Sequence, residues 1–280
     1  MREELPTDET TGLVTDPEAL ARVESSLHAS VERVVAEAGA ERVVVGLDGG
    51  LGSTATATLA ADALGADRVT GLVMPAYLDH AAAAREAELV AEVLGVPHAR
   101  LHLHPLLAAF QRVVEPAPGP GDDLVATGAA LSRLRTACAY YVASATDGVV
   151  LGGANRTDLY TGRVVKHGDT GVDCLPLGGL YRTEVRALGD VLDLPEPTRA
   201  AVAEPDRMAA APVREEAALD ETDRDRVLHA LVDRDLRPAA AAEQLGLPRE
   251  AVERVAAWCA ETEHRRRGPA ALAADGQSPF

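Results

Sequence analysis

Arg42-Val43-Val44-Val45-Gly46-Leu47-Asp48-Gly49-Gly50-Leu51-Gly52-Ser53-Thr54 is the stretch that decides the fold class. Three consecutive valines closed by glycine make a short strand, Arg42–Leu47, with apolar side chains for both faces of a sheet. The glycines after it make a tight turn, and the Ala- and Leu-rich residues 53–64 read as a helix. Val69–Met74 is a second strand and His98–Leu103 a third strand candidate. Between them, a helix over 79–94 is stopped by Gly95-Val96-Pro97. Gly148–Gly152 is a fourth strand. Strands alternating with helices imply an α/β fold: an open parallel sheet with helices on both faces.

The rest of the chain reads outward from that unit. Residues 1–14 are polar and expected to be disordered. Thr15-Asp16-Pro17-Glu18 starts a helix with a capping residue, proline in the first turn and an acid. Leu20, Val23, Leu27, Val31 and Val34 give that helix its apolar stripe. Helices are expected at 104–113, 124–145, 182–193, 221–232, 238–245 and 248–266. Residues 116–121 read as a linker, 153–180 as loop, 195–220 as a mobile loop and 271–280 as a tail. One domain over 15–270, with a helical subregion at 220–266, is the expected organisation.

Composition limits the partners. The 280 residues carry a formal charge of −17, and Lys166 is the one lysine among 27 basic residues. Such a chain repels nucleic acid and anionic membrane. It suits a high-salt surface and equally a GC-rich genome. No apolar run reaches the ~18 residues of a membrane span, and the charged start Met1-Arg2-Glu3-Glu4 does not resemble a signal peptide. The three cysteines lack metal-ligand spacing, so a reducing cytoplasm is expected. His98 and His102 have metal-ligand spacing only in a helix; with His104 they sit in a strand-like run after a proline, a poor metal cage. Trp258, at helical spacing with Val252 and Val255, reads as core.

The turn from Gly46 to Ser53 lies where open α/β sheets bind ligands. Its glycines let backbone N–H groups approach phosphate, although a ligand-free tight turn uses the same residues. The turn resembles the pyrophosphate loop of N-type ATP pyrophosphatases, Ser-Gly-Gly-x-Asp-Ser. More of the chain is similar to one branch, the ammonia-dependent NAD synthetases. Ser132-Arg133-Leu134-Arg135 resembles that family's Lys-Ala-Arg-x-Arg segment. Gly148–Gly153 is similar to its second nucleotide-binding strand. Lys166-His167-Gly168-Asp169-Thr170-Gly171-Val172-Asp173 resembles Lys-Tyr-Gly-Asp-Gly-Gly-x-Asp. Leu180-Tyr181-Arg182-Thr183-Glu184-Val185-Arg186 and Thr262-Glu263-His264-Arg265-Arg266 complete the order.

The resemblance implies amidation of deamido-NAD by ammonia. The nicotinate carboxylate attacks the α-phosphate of ATP, and ammonia then displaces AMP from the acyl-adenylate. It implies ATP and deamido-NAD as substrates, magnesium as cofactor and a homodimer. By position, Arg133, Lys166, Asp173, His264 and Arg265 fall on dinucleotide contacts. Gly46, Asp48, Gly49, Gly50, Gly52, Ser53, Gly153 and Arg182 fall on the ATP side, with Asp158 as a magnesium ligand.

The ATP side departs from the family pattern. Asp48 stands for the loop serine, Gly52 for its metal-binding aspartate, and Gly153 for a threonine. Asp158 replaces glutamate, Arg182 replaces lysine, and Glu204-Pro205-Asp206-Arg207 replaces a Pro-Thr-Ala segment. Two like charges ~4 Å apart at an effective dielectric of ~20 repel by roughly 4 kcal/mol, so Asp48 opposes a phosphate unless it recruits the cation itself. Two alternatives follow. One is an impaired paralogue that binds a pyridine dinucleotide or regulates a true synthetase by pairing with it. The other is a helix-turn-helix DNA-binding module at 237–255, argued against by Glu250 and Glu253 beside Arg249 and Arg254.

Overall fold

A computed structural model describes residues 7–8, 11–115, 123–194, 198 and 219–268. The linker at 116–121, nearly all of 195–220 (Glu204–Arg207 included) and the tail at 271–280 lie outside those residues. In chain order the elements are α1 (Pro17–Glu37), β1 (Arg42–Leu47), α2 (Leu51–Leu64), β2 (Val69–Val73), α3 (Ala81–Val93), β3 (His98–Arg100), α4 (His104–Val114), α5 (Leu124–Ala145), β4 (Gly148–Leu151), α6 (Arg156–Thr161), α7 (Arg182–Val191), α8 (Glu221–Leu228), α9 (Pro238–Leu245), α10 (Arg249–Glu261) and α11 (Glu263–Arg266).

All four strands are parallel, in the order β3-β2-β1-β4. The valine run works as its pattern requires. Val43 and Val45 join a core with Val31 and Val35 of α1, Ala57 and Ala60 of α2, and Ala87 and Ala91 of α3. Val44 points to the opposite face, into a cluster with Leu131, Ala139 and Ala143 of α5. Each such side chain, fully buried, contributes about 1.5–3 kcal/mol. β1 pairs with β2 on one side and β4 on the other, so the connections leaving β1 and β4 diverge and open a crevice at their carboxyl ends. The C-terminal helices form a further layer, with Trp258, Val252, Val255, Leu228 and Tyr181 in one apolar cluster.

Several elements differ from the sequence reading. Leu13 and Val14 are fully buried, and the Val14 amide donates to Glu184 Oε1 at 2.9 Å, so residues 11–14 are held against α7. The stripe of α1 ends on buried Val35, not Val34. The third strand stops at Arg100, because His104 already begins α4. Residues 78–80 form a 3-10 turn before α3. The stretch 153–180 contains α6, started by an Asn155–Asp158 capping box. Residues 229–233 are a π turn after α8, and Thr262 separates α10 from α11. Among the described residues no helix is long and apolar enough to cross a membrane.

Candidate active site

The crevice between β1 and β4 collects the ATP-side residues. Gly49 takes φ +80° in the turn, and α2 begins one residue after Gly50. Asp48 folds back into its own loop. Its Oδ1 accepts from the Gly50 amide at 2.8 Å and from the Ser53 hydroxyl, while the Asp48 amide donates to Ser53 Oγ at 3.4 Å. Behind this ring the first turn of α2 presses on the segment after β4. A Cβ on Gly52 would stand 2.2 Å from the Gly153 carbonyl oxygen, and one on Gly153 would stand 2.8 Å from Ser53 N. Two glycines therefore permit a backbone crossing that no side chain at either position allows.

Further along the crevice, Asp158 on α6 faces Arg182 on α7 at 3.6 Å. What sets this pair is a carboxylate on α8 that was not singled out from the sequence. Asp225 is fully buried. It accepts from Thr157 Oγ1 at 2.6 Å, from the Thr183 amide at 2.8 Å and from Thr183 Oγ1 at 2.7 Å. Thr157 Oγ1 in turn accepts from the Arg182 amide at 2.9 Å. Asp225 thus ties the first turns of α6 and α7 together, one residue from Asp158 and from Arg182. Burial pushes its carboxyl above the ordinary carboxylate range, against the pull of those hydrogen bonds. Glu184, also fully buried, does the same for the start of α7 by accepting from the Tyr181 amide at 2.8 Å.

Two of the five residues expected on the dinucleotide side, Lys166 and Asp173, lie on the loop from Val165 to Asp173. Asp169 is its internal anchor, accepting from the Val165 amide at 2.6 Å and from Ser132 Oγ at 2.8 Å. Burial raises the Asp169 carboxyl despite those donors. Gly168 passes so close to α5 that a Cβ would meet Ser132 Oγ at 2.1 Å. Asp173 pins the far end to β4. Its oxygens accept from the Val150 amide at 2.7 Å and from the Tyr140 hydroxyl at 2.9 Å. Burial, and then this bond, push the Tyr140 phenol up to about 12. Arg133 Nε donates to the Lys166 carbonyl at 3.1 Å, which ties the guanidinium to the backbone of the loop at Lys166. Among the described residues the Lys166 ammonium has no ion pair or hydrogen bond.

The C-terminal segment reaches the same loop. Arg265 Nη1 donates to the Gly162 carbonyl at 2.6 Å, and its own carbonyl accepts from Thr170 Oγ1 at 3.3 Å. The His264 ring lies 3.1 Å from the Glu261 carbonyl in its own turn. On α10, Arg249 and Arg254 pair with Glu253 and Glu250 at 2.7 and 3.2 Å, so these two of the three arginines in the 237–255 segment are engaged along their own helix.

The comparisons with known proteins bear on the whole of this arrangement. The NAD synthase family model matches residues 23–269. The chain belongs to the NAD synthase family. It is 39% identical over 256 residues to an NH(3)-dependent NAD(+) synthetase of Halobacterium salinarum, covering 90% of this chain and 93% of that one. A second relative, the NH(3)-dependent NAD(+) synthetase of Hyperthermus butylicus, is 34% identical over 257 residues, 91% of each chain. The solved NH3-dependent NAD synthetase from Campylobacter jejuni shares the fold at a TM-score of 0.74 and 22% identity, covering 91% of this chain and 99% of that one.

A divalent cation in this NAD synthase fold needs convergent carboxylates on the ATP side, and the residues present do not fit one. Asp48 is turned onto Gly50 and Ser53. Gly52 offers no ligand, and the Gly153 carbonyl fills the space beside it. Asp158 faces a guanidinium. Among the described residues, the one group of three candidate ligands within 4.8 Å of one another is Glu24, His28 and Asp62, on α1 and α2, and it includes none of the site carboxylates.

Proposed function

We propose that the protein binds deamido-NAD on the Lys166 side of the crevice and amidates its nicotinate carboxylate with ammonia, consuming ATP in the cytoplasm. The observation that carries this is the 165–173 loop. Asp169 and Asp173 accept from the Val165 and Val150 amides and so tie both ends of it down, and its Lys166 carbonyl accepts from the Arg133 guanidinium. A loop fixed this way keeps cations in place for an anionic substrate at low entropic cost. Lys166 and Arg133 supply the charge that attracts and orients the dinucleotide. Arg265 closes the loop from the C-terminal side. In the reaction a carboxylate oxygen attacks the α-phosphorus and pyrophosphate leaves. Ammonia then attacks the acyl carbon, AMP leaves and one proton is lost.

A second reading is dinucleotide binding without turnover, alone or as the regulatory partner of an active synthetase. The Gly52–Gly153 contact favours it, because the backbone there takes the room of a metal-binding side chain. Incubation with ATP, magnesium, ammonia and deamido-NAD at low and at high salt separates the two readings. NAD and pyrophosphate in equal amounts support synthesis. Deamido-NAD binding with no product supports the second reading, and absence of both overturns the assignment.

Homodimerisation belongs to the same proposal. The apolar residues Phe110 and Val113 on α4, and Leu124 and Tyr141 on α5, are exposed. Leu124 and Tyr141 lie on the helix that also carries Arg133. Sedimentation of the wild type and of Val113→Glu tests it: a dimer that the variant dissociates is expected.

A further inference from the structure

We propose that Asp48 is a built-in competitor for the phosphate seat of the glycine loop, and that the loop receives nucleotide phosphate without a divalent cation of its own. This rests on the reading that the Gly46–Ser53 turn is the ATP side of the site. Three observations carry it. The Asp48 carboxylate already takes the Gly50 amide and the Ser53 hydroxyl, donors that a phosphate oxygen entering the turn would need. The loop places that carboxylate immediately before the N-terminus of α2, where a side-chain anion meets the same dipole end that would attract a phosphate. And the Gly52–Gly153 crossing leaves no room for a ligand side chain behind the loop, while Asp158 is neutralised by Arg182.

The two glycines and the aspartate form one arrangement. With Asp48 folded onto the turn, two of the loop's donors, the Gly50 amide and the Ser53 hydroxyl, are taken without a ligand. With glycine at 52 and at 153, the backbones of the two crevice walls close on each other. A phosphate must displace the carboxylate to reach the Gly50 amide. Like charges ~4 Å apart at an effective dielectric of ~20 weaken binding by about a thousandfold. Asp48 is exposed, and solvent screening reduces this to roughly tenfold or more.

The test uses the full chain and two probes, inorganic pyrophosphate and ATP, titrated calorimetrically in excess magnesium and in EDTA. Wild type is compared with Asp48→Asn, which keeps the hydrogen-bonding shape without the charge, and with Asp48→Ser, which vacates the seat. Both are good residues ahead of a helix, and thermal melts check that each folds. At least tenfold tighter pyrophosphate binding is expected in both variants, with wild-type affinity for either probe changing less than threefold between magnesium and EDTA. Unchanged or weaker binding in the variants overturns the proposal. So does a wild-type magnesium dependence above threefold, which, if lost in Asp48→Asn, makes Asp48 a metal ligand. Deamido-NAD affinity, measured on the same samples, reports on the functional reading separately. Its loss with the Asp48 effect intact sinks that reading alone, and its presence without the Asp48 effect sinks this proposal alone.

Discussion

Replacing Gly52 by alanine is expected to cost the protein about 1–2 kcal/mol of stability, although the position is the second residue of a helix. The added methyl would lie 2.2 Å from the Gly153 carbonyl oxygen and 3.2 Å from its carbon. Carbon and oxygen approach to about 3.3 Å even in their closest favourable contacts, so the two walls must part by roughly 1 Å. Overpacking of this kind costs about 1–3 kcal/mol. Alanine returns up to about 1 kcal/mol through its helix propensity, less at a helix end. For a protein of this size each kcal/mol lost lowers the melting midpoint by about 2–4 °C. Urea denaturation followed by the fluorescence of Trp258, the one tryptophan, measures the change, with circular dichroism as the second probe. Gly179→Ala is the control, because a Cβ there meets nothing within 4 Å. Gly153→Ala should behave like Gly52→Ala. The double variant should lose at least 0.5 kcal/mol less than the two losses added, because one methyl has already opened the gap. Wild-type or greater stability in Gly52→Ala refutes the tight crossing, and full additivity refutes the shared gap.

Three further outcomes follow from the described geometry. Asp225→Ala should destabilise by about 3–5 kcal/mol, since it strands the Thr183 amide and two hydroxyls in a buried place; a loss under 1 kcal/mol in urea titrations contradicts the clamp. Burial raises the Asp169 and Asp225 carboxyls above their ordinary 3.8. The folded state therefore holds their protons more tightly than the unfolded one, and their contribution is full below pH ~3.8 and falls as pH rises through the raised values. Asp225→Asn should flatten the wild-type fall in that window, and an unaltered pH profile counts against the assignment. Lys166→Ala should weaken deamido-NAD binding at least tenfold with stability within ±0.5 kcal/mol, and deamido-NAD should protect this single side-chain amine from acylation, read by peptide mass spectrometry; equal labelling with and without the dinucleotide removes Lys166 from the site.

The valine run, the glycine turn and the ordered motifs made the sheet and the family legible, because each depends on local pattern. What escaped depends on tertiary placement. Asp225 lies in Glu221-Thr222-Asp223-Arg224-Asp225-Arg226, which reads as a solvated helix face until α6 and α7 are laid across it. Helix α6 is too short to show an apolar period, and its one available signal was Asn155 three residues ahead of Asp158. Leu13 and Val14 follow a polar lead, and only the buried Glu184 shows that they are anchored. The substitutions at 48, 52 and 153 were visible one by one. That the two glycines touch, and that the aspartate bonds its own loop, were not, since neither contact has a sequence period.

The strap from Arg265 to the 165–173 loop has a consequence in time. Thr170 and Arg265 are joined by a hydrogen bond across 95 residues of chain. At a synthesis rate of about 5–20 residues per second, roughly 5–20 s pass between the making of one and the making of the other. During that interval the sheet and the glycine turn are complete, while Lys166 sits on a loop without its clasp. A newly made chain is therefore expected to acquire its dinucleotide side last, after its nucleotide-binding scaffold has formed.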